Sequence, residues 1–311
     1  MAADPSHPTA ILIAGPTASG KSAVALKLAE RLGGAVINAD SMQVYRELKL
    51  LNARPKPAEM AAVPHCLYGT VPAAETYSVG HWLADVAEAL KTVRGEGRLP
   101  ILVGGTGLYF KALLEGLSPV PDIPSEMREF WRERSNSLGA EGLYRELMAR
   151  DPVMAERLRP SDPQRVVRAI EVIEATGVSL AEWQGTAGTP TLQSEAVSKL
   201  VVAPEREPIY AAIDARFDHM VEEGAVDEVD ALIALRLDPT LPAMRALGVR
   251  ELAAHLAGTM TLEEAVAKAK TESRRYAKRQ MTWAKRFMAD WEWFPDGTTA
   301  IEAGSARCVT T

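Results

Sequence analysis

A short apolar run, Thr9 to Ala14, leads directly into Gly15-Pro16-Thr17-Ala18-Ser19-Gly20-Lys21-Ser22. Val24, Ala25, Leu28, Ala29 and Leu32 then recur at helical spacing until Gly33-Gly34 stop them. A buried strand, a G-x-x-x-x-G-K-[ST] loop and a helix in that order make a phosphate-binding P-loop, which constrains the fold more than anything else here. The glycines let backbone N–H groups turn inward around phosphate oxygens, and the helix N-terminus adds positive potential. Lys21 is placed to neutralise the distal phosphate, and the Ser22 hydroxyl to bind Mg2+.

The rest of the first third alternates in the same way. Ala35 to Asn38 reads as a second strand and Cys66 to Val71 as a third. Val79 to Arg94 reads as an amphipathic helix, Pro100 to Val103 as a strand and Lys199 to Ala203 as another. Strands alternating with helices predict an α/β fold, a P-loop NTPase-like parallel sheet core flanked by helices. From about Pro121 to Ser198 the chain turns helical and charged. There Asp151-Pro152 and Asp162-Pro163 each look like an N-cap followed by proline at the first helical position. Thr176-Gly177 looks like a helix end and Gln184 to Ser194 like a loop. This predicts a mainly helical subdomain over 121–198, inserted into a core of 1–120 and 199–311. After Ala203 the pattern is helical to about Met288.

A P-loop specifies phosphate and leaves the reaction open. An ATPase adds an apolar strand ending in an Asp that holds Mg2+. The candidate strand Ile101-Leu102-Val103 ends instead in Gly104-Gly105-Thr106-Gly107, which leaves Asp40 after Val36-Ile37-Asn38-Ala39 as the candidate for that role. Asp40 follows the second strand and Thr106 the Ile101 strand, and the carboxyl ends of parallel strands face the ligand crevice. Each also has a bland reading, Asp40 as a helix N-cap and Thr106 as part of a turn. His65 and His81 have no partner motif and read as structural; Trp131, Trp183, Trp283, Trp291 and Trp293 read as packing.

Charge sharpens the choice. The 311 residues carry a net charge of -6, against the basic footprint usual in nucleic-acid binders. Yet Lys268 to Arg286 holds eight Lys/Arg and one acid, Glu272, so a local basic surface is expected on an acidic molecule. Cys66 and Cys308 form neither a disulfide framework nor a metal spacing, and no apolar run is long enough to span a bilayer. A monomeric cytoplasmic protein without membrane contact is expected.

Five strings stand in order: GPTASGKS at Gly15, ADSMQVYR at Ala39, PILVGGTGLYFKALLEG at Pro100, DPQRVVRAIEV at Asp162 and RRYAKRQMTW at Arg274. From about Ile11 to Trp283 the chain closely resembles the bacterial tRNA dimethylallyltransferase (isopentenyl-diphosphate:tRNA transferase) family. The first string is generic, whereas DSMQVYR, VGGTGLYFKALLEG and RYAKRQMTW are far more specific. The resemblance implies transfer of a dimethylallyl group from dimethylallyl diphosphate to N6 of adenosine 37, in tRNAs reading codons that begin with U. The products are N6-isopentenyladenosine and diphosphate, Mg2+ assists, and the macromolecular partner is the tRNA anticodon stem-loop. It further implies that Gly15, Pro16, Thr17, Ala18, Ser19, Gly20, Lys21, Ser22 and Arg216 hold the diphosphate, with the metal at Ser22. Asp40 is implied as general base and Thr106 as its companion at the reaction centre. Ser41, Met42 and Gln43 are implied to touch the target nucleotide together with Asp40 and Thr106. Further tRNA contacts are implied at Arg128, at Gln164, Arg165, Val166, Val167 and Arg168, at Arg245 and Arg250, and at Lys278, Arg279 and Gln280.

Departures from the family pattern fall elsewhere. Leu51-Asn52-Ala53-Arg54-Pro55-Lys56-Pro57 stands where the family has a G-T-A-K-P-like string, Pro64-His65-Cys66 replaces P-H-H without the acidic residue that usually follows around Leu67 to Gly69, and Gly248-Val249-Arg250 loses a tyrosine. These bear on tRNA preference more than on Asp40, Thr106 or Lys21. On the residues alone, a P-loop kinase, a non-catalytic RNA-binding protein and a prenyltransferase acting on free adenine nucleotides stand as alternatives.

Overall fold

The computed structural model describes residues 8–308. These residues form two compact units. One holds the described chain up to Leu114 together with everything from Thr191 onward; the other is Glu115–Pro190.

The first unit is built on six parallel strands among the described residues: β1 (Ile11–Ala14), β2 (Gly34–Asn38), β3 (His65–Cys66), β4 (Leu99–Gly104), β5 (Ser198–Val202) and β6 (Glu292–Phe294). Their order is β3-β2-β4-β1-β5-β6, which puts the P-loop strand near the centre, with β4 on one side and β5 on the other. Ile11, Leu12 and Ile13 are wholly buried, as a parallel strand covered on both faces must be. Helices α1 (Lys21–Leu32), α2 (Pro57–Ala62), α3 (Val79–Gly95) and α4 (Gly107–Glu115) connect the first four strands and lead away from β4. Val24, Ala25, Leu28 and Ala29 of α1 pack on Ile11, Ile13 and Ile101 on one face of the sheet. Trp82, Val86 and Leu90 of α3 pack on Leu12, Ile37 and Leu102 on the other. This is the P-loop NTPase-like core that the alternation predicts.

Two details differ from the sequence expectation. The third strand stops at Cys66, because Leu67 and Gly69 turn into left-handed backbone at φ 64 and 62; the expected strand to Val71 survives only as an isolated bridge between Tyr45 and Val71. The edge strand β6 was not expected, since three residues beyond a long basic helix give no period to read. His81 and Ser78 cap α3 reciprocally, and His65 Nδ1 lies 2.9 Å from the Val63 carbonyl.

The second unit consists of α5 (Ser125–Arg150), α6 (Pro152–Ala155), α7 (Pro163–Thr176) and α8 (Leu180–Trp183). Met154 N–H donates to Asp151 Oδ1 at 2.9 Å, and Arg165 N–H donates to Asp162 Oδ1 at 3.4 Å, so both Asp-Pro pairs start helices as their chemistry dictates. Gly177, at φ 69, ends α7. Trp131, Leu143, Leu147, Val166, Ala169 and Ile170 form the unit's own core.

After β5 the first unit continues through α9 (Arg206–Glu222), α10 (Ala225–Ala234), α11 (Val249–Leu256), α12 (Leu262–Phe287) and, beyond β6, α13 (Gly297–Ala306), which lies against α1. No helix among the described residues is long and apolar enough to cross a membrane.

Candidate active site

The P-loop leaves the carboxyl end of β1 and curls over the start of α1. Ala18 takes left-handed backbone at φ 62, an uncommon conformation for a residue with a Cβ and one that concentrates at ligand clamps. The Ser19 side-chain oxygen is buried against the loop without a hydrogen-bond partner. A buried hydroxyl left open this way suits a ligand oxygen. Lys21 Nζ donates to the Pro16 carbonyl at 3.1 Å and so lies back along the loop. From the other side Arg216 of α9 reaches in, and its Nη2 donates to Thr17 Oγ1 at 2.6 Å. Two cations therefore converge where phosphate oxygens would sit. Desolvation lowers the Lys21 ammonium to a pKa of about 8, Asp40 partly offsets this, and Arg216 adds to it. Arg216 is itself pushed below its ordinary value by burial.

Asp40 faces this cradle from the end of β2, and its position is fixed by a web of hydrogen bonds. Its N–H donates to Asn38 Oδ1, while Asn38 Nδ2 donates back to the Asp40 carbonyl, both at 2.9 Å. Trp82 Nε1 donates to the Asn38 carbonyl at 2.9 Å and anchors the turn to the buried face of α3. Met42 N–H donates to Asp40 Oδ1 at 2.9 Å, and Oδ2 has no hydrogen-bond donor among the described residues. Thr106, at the end of β4, accepts the Ser41 N–H through Oγ1 at 2.9 Å and so ties the two strand ends together. Three phenols sense the Asp40 charge: burial first, and that carboxylate second, push Tyr68, Tyr109 and Tyr276 upward, so they remain neutral hydroxyls. Tyr276, inside the RRYAKRQMTW string, reads from the sequence as a residue able to contact a base; the place of Tyr68 and Tyr109 beside Asp40 was not legible, because it arises only through the fold.

A cavity of about 540 Å³ joins these groups: Thr17 to Ser22, Asp40 to Gln43, Arg216, Arg245 and Arg279 all line it. Leu51, Asn52, Ala53, Phe217, Leu247 and Tyr276 also line it. The Leu51–Ala53 segment is held from two directions. Glu228 of α10 accepts the N–H groups of Lys49, Leu50 and Leu51 at 2.7, 2.8 and 3.0 Å, and Gln43 Nε2 donates to the carbonyls of Asn52 and Ala53. Thr106 and Gly15 line a second, smaller cavity of about 220 Å³, walled by Phe110, Tyr276, Gln280 and Trp283. A Cβ at Gly105 or Gly107 would collide with Gln280 or with the Trp283 ring, so glycine is needed there for α12 to lie close.

Helix α12 carries the basic run; Lys268 stands exposed near its start, and the other seven charges fall into two groups. Lys270 pairs with Asp218 at 2.6 Å, Arg274 with Asp214 at 2.6 Å and Arg275 with Glu272 at 2.6 Å. Further along, Lys278, Arg279, Lys285 and Arg286 are exposed and have no acidic partner among the described residues. Arg279 and Arg286 instead lie over the Tyr276 and Phe287 rings. The second half of α12 is thus an exposed cationic surface adjoining the cavity. Gln280 differs from the expectation of a group facing RNA: its side-chain amide is hydrogen-bonded to Thr17 and Gly105. Arg250 is exposed at the start of α11.

In the helical unit Arg128 is exposed near the start of α5, and Gln164 and Arg165 are exposed at the start of α7. Arg165 pairs with Asp162 at 3.4 Å and Arg168 with Glu171 at 3.6 Å. Val166 is wholly buried and Val167 packs at the edge of that core, so the side chain of Val166 serves the unit's interior rather than its surface.

A family model described as IPP transferase matches residues 43–287, and one described as isopentenyl transferase matches residues 8–67. A tRNA dimethylallyltransferase of a Bradyrhizobium strain is 56% identical over 284 residues, 91% of this chain and 93% of that protein. One from Rhodopseudomonas palustris is 54% identical over 289 residues, covering 93% and 92%. Among solved structures, the full-length tRNA isopentenylpyrophosphate transferase from Bacillus halodurans superposes with a TM-score of 0.68 at 35% identity, covering 95% of this chain and 94% of that one. A eukaryotic dimethylallyltransferase acting on tRNA gives a TM-score of 0.80 at 25% identity over 96% of this chain and 76% of that one. With the match spanning both the P-loop and the α12 strings, the chain belongs to the IPP transferase family.

Proposed function

We propose that this protein is a tRNA dimethylallyltransferase, carrying the dimethylallyl group of dimethylallyl diphosphate to N6 of adenosine 37 in tRNAs that read codons beginning with U. The observation that carries the reading is the cavity in which Lys21 and Arg216 stand opposite Asp40, beside a helix whose Lys278, Arg279, Lys285 and Arg286 are exposed and lack acidic partners among the described residues. N6 attacks the allylic carbon of the donor as its C–O bond breaks, and the bonding electrons leave with diphosphate. Lys21, Arg216 and the P-loop N–H groups stabilise the charge that grows on the leaving group. Asp40 accepts the N6 proton, a contribution typically worth about 10²–10⁴-fold. Thr106 holds Ser41 and hence the Asp40 turn in register.

Mg2+ fits this site in a limited sense. No group of three or more His, Cys, Asp or Glu side chains poised for a metal exists among the described residues, so the protein supplies no carboxylate cage. The Ser22 hydroxyl lines the cavity, and diphosphate oxygens provide the remaining hard ligands that Mg2+ prefers. When bound there the ion would neutralise charge on the leaving group.

The anticodon stem-loop is the macromolecular substrate, and base flipping brings adenosine 37 to Asp40 at a cost of a few kcal/mol. Anticodon loops are recognised through phosphates and splayed bases, which suits Lys278, Arg279, Lys285 and Arg286. Action in the reducing cytoplasm accords with two free cysteines, Cys66 and Cys308. Incubation of the purified protein with unmodified tRNA, dimethylallyl diphosphate and Mg2+, followed by nucleoside mass spectrometry, tests the reading. A C5 gain on adenosine that Asp40→Ala abolishes is expected. Absence of that product, with ATP consumed on another acceptor, would move the protein to the kinases.

A further inference from the structure

The two halves of the reaction stand on separate loops. The diphosphate cradle follows β1, and the Asp40–Thr106 pair follows β2 and β4. The β1–β4 ladder ends where Ala14 pairs with Gly104. Beyond it, Gln280 of α12 is the hydrogen-bonded link between the cradle and the β4 loop among the described residues. Thr17 N–H donates to Gln280 Oε1 at 2.8 Å, and Gln280 Nε2 donates to the Gly105 carbonyl at 3.0 Å. A backbone N–H can only donate and a carbonyl can only accept, so the orientation of the amide is settled by its partners. The helix that carries it is anchored to the body on the same side. Arg274 Nη1 donates to both carboxylate oxygens of Asp214 at 2.6 and 2.7 Å, and Lys270 pairs with Asp218 one turn away. Gly105, which receives one end of the bridge, directly precedes Thr106. Thr17, which receives the other, is also the residue held by Arg216.

We infer that Gln280 is a positioning residue that sets the separation between the leaving-group cradle and the Asp40–Thr106 pair, and that it does not read the RNA. Both poles of its amide are committed to the protein's own backbone, and those two backbone groups belong to the two loops that must be held in register. Displacement at carbon tolerates little error in approach, and a misplacement of about 1 Å can cost on the order of 10²-fold in rate. The inference rests on the transfer reaction proposed above.

The test separates kcat from tRNA affinity. Gln280→Met keeps the length and volume of the side chain but removes both hydrogen bonds; Gln280→Ala removes them without forcing an apolar group between the loops. With tRNA and donor both saturating, each variant is expected to lose roughly 10- to 100-fold in kcat. The tRNA Kd, measured by filter binding, should stay within about 3-fold of wild type, because no contact with RNA is lost. An unchanged kcat with the tRNA Kd raised tenfold or more would make Gln280 a reader of RNA and overturn the inference. Unchanged values of both in both variants would also overturn it. Wild-type protein in the same assay guards the underlying reading: no C5 product with wild type sinks the transfer reaction, whereas product with wild type and full kcat in the variants sinks the positioning role alone.

Discussion

Lys21 carries its charge at a cost. With its pKa lowered to about 8 by desolvation, and Arg216 adding to the shift, the unliganded site sheds this proton as pH rises through about 8. A diphosphate binds the protonated form better, so donor Kd should rise above pH 8, and Lys21→Ala should weaken binding while removing that dependence. Isothermal titration of donor between pH 7 and 9.5 checks both. The linkage to stability runs the other way from a stabilising ion pair. Between about 8 and 10.5 the unfolded chain keeps a proton that the folded one has lost, so the free protein's stability gains as pH climbs through that window. For Asp40→Asn the expectation is a kcat loss of about 10²–10⁴-fold with donor Kd nearly unchanged, measured in single turnover. Asp40, Thr106 and Lys21 were legible because motif spacing places them at strand ends. Asn38, Trp82, Tyr68 and Tyr109 were not, since their roles arise only when distant segments meet.

At the level of elements, α12 performs two tasks with one kind of residue. Lys270, Arg274 and Arg275 spend their charges on Asp218, Asp214 and Glu272, whereas Lys278, Arg279, Lys285 and Arg286 are left exposed. Arg279→Ala and Arg286→Ala should each weaken tRNA binding and lower the slope of log K against log salt by about 1, whereas Arg275→Ala should change it less. Filter binding from low to moderate salt distinguishes them. The basic run was plain in the sequence, but its division was not, because the neutralising acids on α9 lie about 60 residues upstream and only packing brings them across. The same holds for the Leu51–Ala53 wall: it departs from the family string, and its three-fold hold by Glu228 comes from 177 to 179 residues away. The edge strand β6 escaped for a different reason, being too short for a period of two to register.

At the scale of the whole molecule, the helical unit leaves and rejoins the core at one point. Thr191 N–H donates to the Leu113 carbonyl at 2.9 Å, and Leu192 N–H donates to the same oxygen at 3.1 Å. Replacing residues 115–190 with a short glycine-serine linker should therefore leave the parallel core folded and able to bind donor. Loss of donor binding in isothermal titration would show that the core depends on the insert. The same variant should bind tRNA more weakly, since Gln164 and Arg165 are removed with the insert.

The strand order also governs when this chain can fold. The P-loop strand β1 takes one neighbour from residue 99 onward and the other only from Ser198, so pairing across the centre of the sheet spans 187 residues between Ile11 and Ser198. A nascent chain halted before Ser198 leaves the β5-facing edge of β1 unpaired, its backbone N–H and C=O groups open to solvent or to a chaperone. Loop closure over such separations is slow. Phosphate-binding competence should thus emerge late during synthesis, well after the P-loop itself has left the ribosome.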